Sequence, residues 1–266
     1  MDDLIRDIDW NEATEQFKSA TPFNHVIIDD FFLTDIADKI SEEFPSFNSD
    51  GLGHYDETFG LKRVQNSWDK FPKYTYQAFT MLGREGFLNH MRNLIAIHNS
   101  SIPKLWMDHG LNGGGLHMHG PGGALNVHLD YNIHPKLGEQ RKLNIIIYMA
   151  KDWNPEWGGG LEVWSNDPET NRPKEHVNTI ENKFNRAVIF DTTQGSWHGF
   201  QKKLTCPEGQ YRKSLAAYYV RPAPEGSDPR GKALFVARED QKNDPHFEEL
   251  ARRRASIETA SEFYKD

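Results

Sequence analysis

Residues 122–131 read Gly-Gly-Ala-Leu-Asn-Val-His-Leu-Asp-Tyr, and this stretch decides how the chain is interpreted. Its alternation of apolar and polar positions predicts a β-strand over 124–130, because successive side chains on a strand point to opposite faces. His128 and Asp130 then lie on one face, where an imidazole nitrogen and a carboxylate oxygen can bind the same metal ion. Two ligands do not make a site, and a second His-x-Asp triplet at 54–56, in a glycine-rich segment, shows that the pattern is weak alone.

Length, charge and cysteine content exclude several classes of protein. A chain of 266 residues can bury a sizeable core as one large domain, so we expect a single domain over 1–266. The net charge of −8, without a dense stripe of Lys and Arg, disfavours nucleic acid as a partner. Cys206 is the only cysteine, so an intramolecular disulfide is impossible and a reducing compartment is compatible.

The amino terminus and the apolar runs bear on localisation. The first residues are acidic where a signal peptide is basic, and no apolar run is long enough to span a bilayer. We therefore expect a cytoplasmic protein with no membrane partner. The sequence indicates no particular oligomeric state.

The chain is expected to have three regions. Residues 1–100 form a mostly helical support region, with a strand, a helix, a long loop and a second helix at 22–32, 35–44, 45–75 and 74–99. Residues 104–222 form the core, where short strands without intervening helices predict a β-sandwich or barrel. Residues 223–266 form a polar tail with a helix at 246–263. The eight core strands are expected at 115–119, 124–130, 142–149, 160–165, 175–180, 184–191, 197–202 and 211–220.

His198 is the candidate third metal ligand. It opens a predicted strand after a buried run and a glycine-containing turn, which can bring it beside His128 and Asp130. Two histidines and one carboxylate on a face of an octahedron suit ferrous iron and leave three positions open. A structural zinc site would be closed by four protein ligands, usually with several thiolates, and one cysteine cannot supply them. Open positions suit an oxygenase, which binds a co-substrate and dioxygen on one ion.

Arg212 and Ser214 lie on the last predicted core strand. A 2-oxo acid can chelate iron through its 1-carboxylate and keto oxygen, and its distal carboxylate then needs a cationic anchor. Arg212 offers a planar fork that suits a carboxylate, and Ser214 faces the same side of the strand. Because a buried arginine without a partner is costly, an anionic ligand gives a physical reason for its presence.

The order His-x-Asp, distal His and Arg-x-Ser resembles the Fe(II)/2-oxoglutarate-dependent oxygenases, specifically their prolyl-4-hydroxylase-like branch. Residues 22–32 resemble the opening strand of that branch, and residues 148–162 resemble its strand-turn-strand. The resemblance spans residues 22–222 and implies a mainly β fold with flanking helices, built on a double-stranded β-helix (jelly-roll) barrel. It also implies Fe(II) as the metal and 2-oxoglutarate and O2 as co-substrates.

The resemblance implies a role for each site residue. His128, Asp130 and His198 are the catalytic iron ligands, while Arg212 and Ser214 bind the 5-carboxylate of 2-oxoglutarate. Tyr148, through its hydroxyl, and His119 are two further candidates for contacts to the co-substrate. The alternative for Tyr148 is a core tyrosine with a satisfied hydroxyl, and the alternatives for His119 are a satisfied structural histidine and a substrate contact. A cupin interpretation of the pair His117 and His119 fails, because the glutamate that this motif needs does not follow.

The implied function is a dioxygenase that hydroxylates an unactivated C–H bond and converts 2-oxoglutarate to succinate and carbon dioxide. Asp130 favours hydroxylation, because halogenating relatives replace this carboxylate with a small residue. The substrate could be peptidyl proline, a free amino acid or another small metabolite. Two alternatives stay open: a catalytically silent module that binds metal or 2-oxoglutarate, and an oxidase of the same fold that desaturates or cyclises. We expect 51–75 and 131–141 to border the substrate space, and the Lys and Arg residues of 136–142 to lie in a solvated loop.

Overall fold

A computed structural model of the chain describes residues 4–57, 60–97 and 103–255. The helices in these ranges are α1 (Trp10–Ser19), α2 (Thr34–Glu42), α3 (Lys73–Leu82), α4 (Glu85–Ile95) and α5 (Pro245–Ala255). The strands are β1 (His25–Ile28), β2 (Gly53–Glu57), β3 (Gly60–Gln65), β4 (Trp106–Met107), β5 (Gly115–His119), β6 (Leu125–Leu129), β7 (Gln140–Tyr148), β8 (Leu161–Asp167), β9 (Arg172–Ile180), β10 (Ala187–Asp191), β11 (Trp197–Phe200), β12 (Arg212–Arg221) and β13 (Leu234–Phe235). All eight core strands expected from the sequence are present, as β5 to β12.

The strands form one hydrogen-bonded path that folds back on itself. One half has the order β1-β10-β7-β12-β5-β3 and the other has the order β6-β11-β8-β9. The halves join where β3 pairs with β6 at Gly60 and Leu125. Side chains from both halves line one central cavity, so the halves face each other. This is the predicted jelly-roll architecture.

Strand β12 shows how the sequence builds a cavity on one side and a core on the other. Its residues Arg212, Ser214, Ala216 and Tyr218 line the central cavity. The alternate positions, of which Leu215 is one, pack into the main apolar cluster with the helices. Period-2 alternation thus sends polar groups to the site and apolar groups to the support.

Helices α1 to α4 cover the outer face of this half of the sheet. Phe17, Ile40, Phe79 and Phe87 of these helices are fully buried in the same cluster as the outward side chains of β7, β10 and β12. Burying a side chain of this size contributes roughly 1.5–3 kcal/mol relative to leaving it exposed. The amino-terminal region therefore stabilises the sheet that carries the site.

Two expectations for the amino-terminal third are wrong. The segment 45–75, expected to be a loop, contains the hairpin of β2 and β3, and β3 also pairs with β5. Such pairing with a distant strand leaves no periodic signal in the segment itself. The single helix expected at 74–99 is two helices, because α3 ends at Gly83, whose backbone N–H donates to the carbonyls of Phe79 and Thr80. Gly83 also lies so close to His109 that a Cβ here would be 2.9 Å from that ring.

The carboxyl-terminal region runs back across the iron-binding strand predicted from the sequence. Strand β13 pairs with β6, with Leu234 opposite Leu129 and Phe235 opposite His128. Helix α5 covers the start of the helix expected at 246–263, and the rest lies outside the described residues. Within the described ranges, no helix is long and apolar enough to cross a bilayer.

Candidate metal centre and cofactor pocket

Three predicted ligands converge at one point in the central cavity. Strands β6 and β11 are antiparallel neighbours, and their register places His128 directly opposite His198. Asp130 follows the end of β6, with its Oδ1 3.8 Å from Nε2 of His128 and its Oδ2 4.0 Å from Nε2 of His198. All three side chains are buried, and one ligand atom from each lies within 4.8 Å of the others. A single metal ion fits among these atoms.

A bulge between β6 and β11 sets the direction of His128. Residues 198 and 200 of β11 lie opposite residues 128 and 125 of β6, so β6 carries one extra residue there. As a result both Leu125 and His128 face the cavity, although they are three residues apart. Gly199 makes the bulge possible, because a Cβ at this position would be 2.8 Å from the carbonyl oxygen of Leu125.

The backbone fixes the tautomer of both histidines. Nδ1 of His128 lies 2.9 Å from the carbonyl oxygen of Asn126, and Nδ1 of His198 lies 2.8 Å from that of Ser196. A carbonyl oxygen only accepts, so each Nδ1 carries a proton, and Nε2 is the nitrogen of each ring that can offer a lone pair to a metal. Burial, together with the neighbouring His198, lowers the pKa of His128 to about 3, which keeps this ring neutral near pH 7.

The two oxygens of Asp130 have different surroundings. Oδ1 accepts a hydrogen bond of 3.3 Å from the hydroxyl of Tyr218 and lies 3.6 Å from Nη1 of Arg141. Oδ2 is buried and has no hydrogen-bond partner among the described residues. Burial raises the pKa of Asp130, but the charge of Arg141, with the two histidines and Tyr218, lowers it by more. An ionised carboxylate with one orphaned, buried oxygen suits a metal ligand.

Arg212 is a buried cation at the other end of the cavity. It is 4% exposed, and its Nε donates a 2.6 Å hydrogen bond to the carbonyl oxygen of Gly159. Its guanidinium lies over the rings of Phe200 and Tyr148, with distances of 4.7 and 5.0 Å to the ring centroids. In the described part of the chain no carboxylate forms an ion pair with it, and burial lowers the pKa of its guanidinium. The site therefore offers an uncompensated positive charge to an anionic ligand.

Six of the seven predicted site residues line the central cavity, which has a volume of about 160 Å³. His119 lies opposite Arg212 on the neighbouring strand, and neither of its buried ring nitrogens has a hydrogen-bond partner in the part of the chain that the structure describes. Burial, followed by the charge of Arg212, lowers the pKa of His119 well below 6.5, so its ring is neutral. Tyr148 is the exception, because its ring packs on Arg212 and belongs to the apolar cluster of Phe23 and Val188.

Arg141 is the main cavity residue that sequence reasoning missed. The expectation of a solvated loop at 136–142 is wrong there, because Arg141 and Lys142 are 2% and 9% exposed. The pairing of β7 with β12 skips Lys142, so that Arg141 faces Val220 while Leu143 faces Tyr219. This bulge turns Arg141 into the cavity, and Lys142 instead forms an ion pair with Asp191.

Residues from three further segments complete the cavity wall. Lys62 and Tyr131, from the segments expected to border the substrate space, both line it. Ala233 and Phe235 line it from the carboxyl-terminal region, and the Phe235 ring stacks on His128 with centroids 5.1 Å apart. His134, which follows the ligand pair in the sequence, turns away and pairs with Asp108 at 3.2 Å.

Comparison with known proteins bears on family and fold. Residues 114–220, which contain all seven predicted site residues, match the profile of the 2OG-Fe(II) oxygenase superfamily. A mouse (Mus musculus) protein named prolyl 3-hydroxylase OGFOD1 is 27% identical over 85 residues, which are 32% of this chain and 15% of that protein. The chain thus matches only a small part of the length of this relative.

Solved structures share the fold at low sequence identity. A prolyl-4-hydroxylase of Pseudomonas putida has a TM-score of 0.57 and 14% identity, over 80% of this chain and 100% of that chain. HygX of Streptomyces hygroscopicus, solved with nickel, 2-oxoglutarate and hygromycin B bound, has a TM-score of 0.52 and 14% identity, over 79% and 86% of the two chains. At sequence identities this low, the similarity to these structures shows a shared fold and nothing more.

Fold and site together define the class: a jelly roll with a buried cluster of two histidines and one carboxylate is the architecture of a mononuclear iron oxygenase. Residues 114–220 of this chain match the 2OG-Fe(II) oxygenase superfamily, and the fold is like that of a prolyl-4-hydroxylase. The family and the cofactors Fe(II) and 2-oxoglutarate predicted from the sequence are confirmed.

Proposed function

We propose that the chain is an Fe(II)/2-oxoglutarate-dependent dioxygenase that hydroxylates an unactivated C–H bond of a small-molecule or peptidyl substrate. The observation that carries the proposal is the pairing, in one cavity, of the buried cluster His128, Asp130 and His198 with the uncompensated cation Arg212. The first group accounts for a metal with open positions, and the second accounts for an anionic co-substrate beside it.

The ligand residues are prepared for a divalent ion. Both histidines direct a lone pair of Nε2 into the cavity because their Nδ1 protons are held by backbone carbonyls. Asp130 adds a negative charge and an oxygen, Oδ2, that has no hydrogen-bond partner within residues 4–57, 60–97 and 103–255. Three protein ligands leave room for a chelating co-substrate and for dioxygen, and the bound iron supplies the chemistry that transfers oxygen to the substrate.

The 5-carboxylate of 2-oxoglutarate is assigned to Arg212 and Ser214, which are neighbours on the cavity face of β12. We assign His119 to a hydrogen bond with the co-substrate, because its neutral ring has a donor and an acceptor that no described residue satisfies. Tyr148 supports the guanidinium of Arg212 from behind, and a direct contact of its buried hydroxyl with the co-substrate is part of the proposal. Gly159 orients the same guanidinium through its carbonyl oxygen.

Apolar side chains surround the reactive part of the cavity. Leu125, Leu161 and Phe200 line it, and the ring of Phe235 stacks on that of His128. Such a wall excludes bulk water, which strengthens the ionic contacts and limits side reactions of the activated oxygen. The wall therefore serves the reaction as well as the fold.

The substrate class of the proposal spans prolyl residues, free amino acids and other small metabolites. One relative is named a prolyl 3-hydroxylase, and one structural neighbour was solved with hygromycin B. We infer that the substrate enters the cavity that Tyr131 and Phe235 help to line, and both kinds of substrate stay within the proposal.

The test is anaerobic reconstitution with Fe(II) and 2-oxoglutarate. We expect a weak visible charge-transfer band from the chelate, followed by succinate formation when oxygen is admitted. His198→Ala should abolish both, whereas the matched control His176→Ala, at an exposed position of β9, should leave both unchanged. Absence of the band in the wild-type protein, or its persistence in His198→Ala, would show that the assignment is wrong. A band without succinate across a panel of prolyl peptides and amino acids would support a silent binding module instead.

A further inference from the structure

The two carboxylate oxygens of Asp130 have different contacts. Oδ1 accepts the Tyr218 hydroxyl and lies beside the positive charge of Arg141, whereas Oδ2 has no partner among the described residues. A carboxylate can bind a metal through one oxygen or through both. Contacts on one oxygen alone favour binding through the other.

The groups that hold Oδ1 are themselves rigid. The guanidinium carbon of Arg141 lies 3.4 Å from the ring centroid of Tyr131 and 3.4 Å from that of Tyr218, so the cation is stacked between two aromatic rings. Nη2 of Arg141 also donates a 2.6 Å hydrogen bond to the carbonyl oxygen of Asn112. We call Tyr131, Arg141 and Tyr218 the clamp.

All three residues of the clamp are buried. Arg141 is 2% exposed and both tyrosines are 8% exposed. Burying a cation costs several kcal/mol unless it is paired, and the nearest carboxylate is that of Asp130, at 3.6 Å. A role in orienting Asp130, the proposed metal ligand, gives a physical reason for burying the charge of Arg141.

We propose that the clamp makes Asp130 a one-oxygen ligand and thereby keeps one coordination position free for dioxygen. The inference rests on the proposed function. Two histidines and one Asp130 oxygen occupy three of six positions, and a chelating 2-oxoglutarate occupies two more. One position remains. If Asp130 bound through both oxygens, the sixth position would be filled and dioxygen could not reach the ion. Tyr218 and Arg141 are thus positioning residues that act through Asp130.

The test counts exchangeable water on Mn(II) bound in place of iron, without turnover. In the wild-type complex with Mn(II) and 2-oxoglutarate, the free position holds one water, which speeds the relaxation of bulk water protons. We expect Tyr218→Phe and Arg141→Met to lose this inner-sphere contribution, with relaxivity per bound Mn(II) falling at least twofold. The fraction of bound Mn(II) is measured by electron paramagnetic resonance, so that weak binding is not mistaken for loss of water.

Strand β12 provides the matched control. Tyr219→Phe removes the hydroxyl of the next residue, which donates a 3.2 Å hydrogen bond to the carbonyl oxygen of Leu82 on the helix side. It is the same substitution at a residue that is also buried, 0% exposed against 8% for Tyr218, and Tyr219 does not line the cavity, so the relaxivity of this variant should equal that of the wild type. A general loss of packing would affect Tyr219→Phe and Tyr218→Phe alike.

A second readout uses Fe(II). The anaerobic charge-transfer band with 2-oxoglutarate should form in Arg141→Met, but its decay after mixing with oxygen should be at least tenfold slower than in the wild type. Wild-type relaxivity in either Tyr218→Phe or Arg141→Met would overturn the clamp while leaving the proposed function intact. A wild-type protein that binds neither metal nor 2-oxoglutarate would instead overturn the proposed function itself.

Discussion

Replacement of Arg212 by Met is the sharpest test of how the chain binds its co-substrate. The substitution keeps a long apolar stem against Phe200 and Tyr148 and removes the guanidinium, which lies over both rings. The guanidinium of Arg212 stays protonated and has no lone pair to offer a metal ion, so Fe(II) should still bind in its absence. The perturbation is therefore confined to the end of the cavity that is assigned to the 5-carboxylate.

The expected size follows from burial. Arg212 is 4% exposed, so its contact with a carboxylate would be almost fully shielded from water. Removing one partner of such a buried, hydrogen-bonded charge pair costs roughly 2–5 kcal/mol. Since each 1.4 kcal/mol is about tenfold in affinity, the Kd for 2-oxoglutarate should rise by about 30-fold to a few thousand-fold. Arg212→Lys keeps the charge but loses the fork and the hydrogen bond to Gly159, so its effect should be intermediate.

The assay is an anaerobic titration of the Fe(II) protein with 2-oxoglutarate, followed through the visible charge-transfer band. Arg172→Met, at an exposed position of β9, is the matched control and should bind 2-oxoglutarate as the wild type does. If Arg212→Met binds 2-oxoglutarate within threefold of the wild type, the co-substrate does not use this arginine and the proposed orientation in the cavity is refuted.

Three further predictions concern the surroundings of the site. Gly159→Ala should weaken 2-oxoglutarate binding at least tenfold in the same titration, because its Cβ would lie 2.9 Å from Cδ of Arg212. Gly158→Ala is the matched control, since Gly158 has the same positive φ of about 80° but open space around the position of its Cβ, and this variant should bind 2-oxoglutarate normally. Below pH 6.5 the unfolded chain protonates His119 and the folded chain does not, so metal-free protein should lose up to about 1.4 kcal/mol of stability per pH unit through this residue. In urea unfolding at several pH values His119→Phe should show a correspondingly smaller slope, and an unchanged slope would contradict a buried, neutral ring. Lys142→Met should destabilise the fold by about 3–5 kcal/mol in the same assay, because it leaves the buried carboxylate of Asp191 unpaired. The exposed pair of Lys183 and Asp29 provides the control, and Lys183→Met should cost about 1 kcal/mol or less.

Local pattern was enough to locate the core strands and the residues that converge on the cavity. On β12 the period of two puts Arg212 and Ser214 on one face and Leu215 on the other, so strand, face and site could be predicted together. His128 and His198 were predictable as a pair because each lies on a short strand bounded by turn residues. The order of the motifs along the chain indicated the resemblance to a known family.

What the sequence did not predict depends on pairing between distant strands. Arg141 looked solvated because it neighbours Lys142 and a polar turn, and only the skipped residue in the pairing with β12 turns it into the cavity. The hairpin of β2 and β3 is likewise held in the sheet by pairing between β3 and β5. Arg63 and Met118, which lie opposite each other there, are more than fifty residues apart in the sequence. Tyr148 was predicted to contact the co-substrate from its position in a motif. Only the structure shows that its ring packs in an apolar cluster with Phe23 and Val188, beside Arg212.

The hydrogen bonds from the two ligand histidines to carbonyls two residues earlier have a consequence for metal loading. Each imidazole is oriented by the extended backbone of its own strand, so the ordering entropy of these ligands is lost when the sheet folds and not when the ion arrives. Metal affinity and the local stability of β6 and β11 are then thermodynamically linked. An ion at a hundred times its Kd would stabilise the folded state by about 2.7 kcal/mol. Conversely, fraying of either strand would release the ion before the domain unfolds.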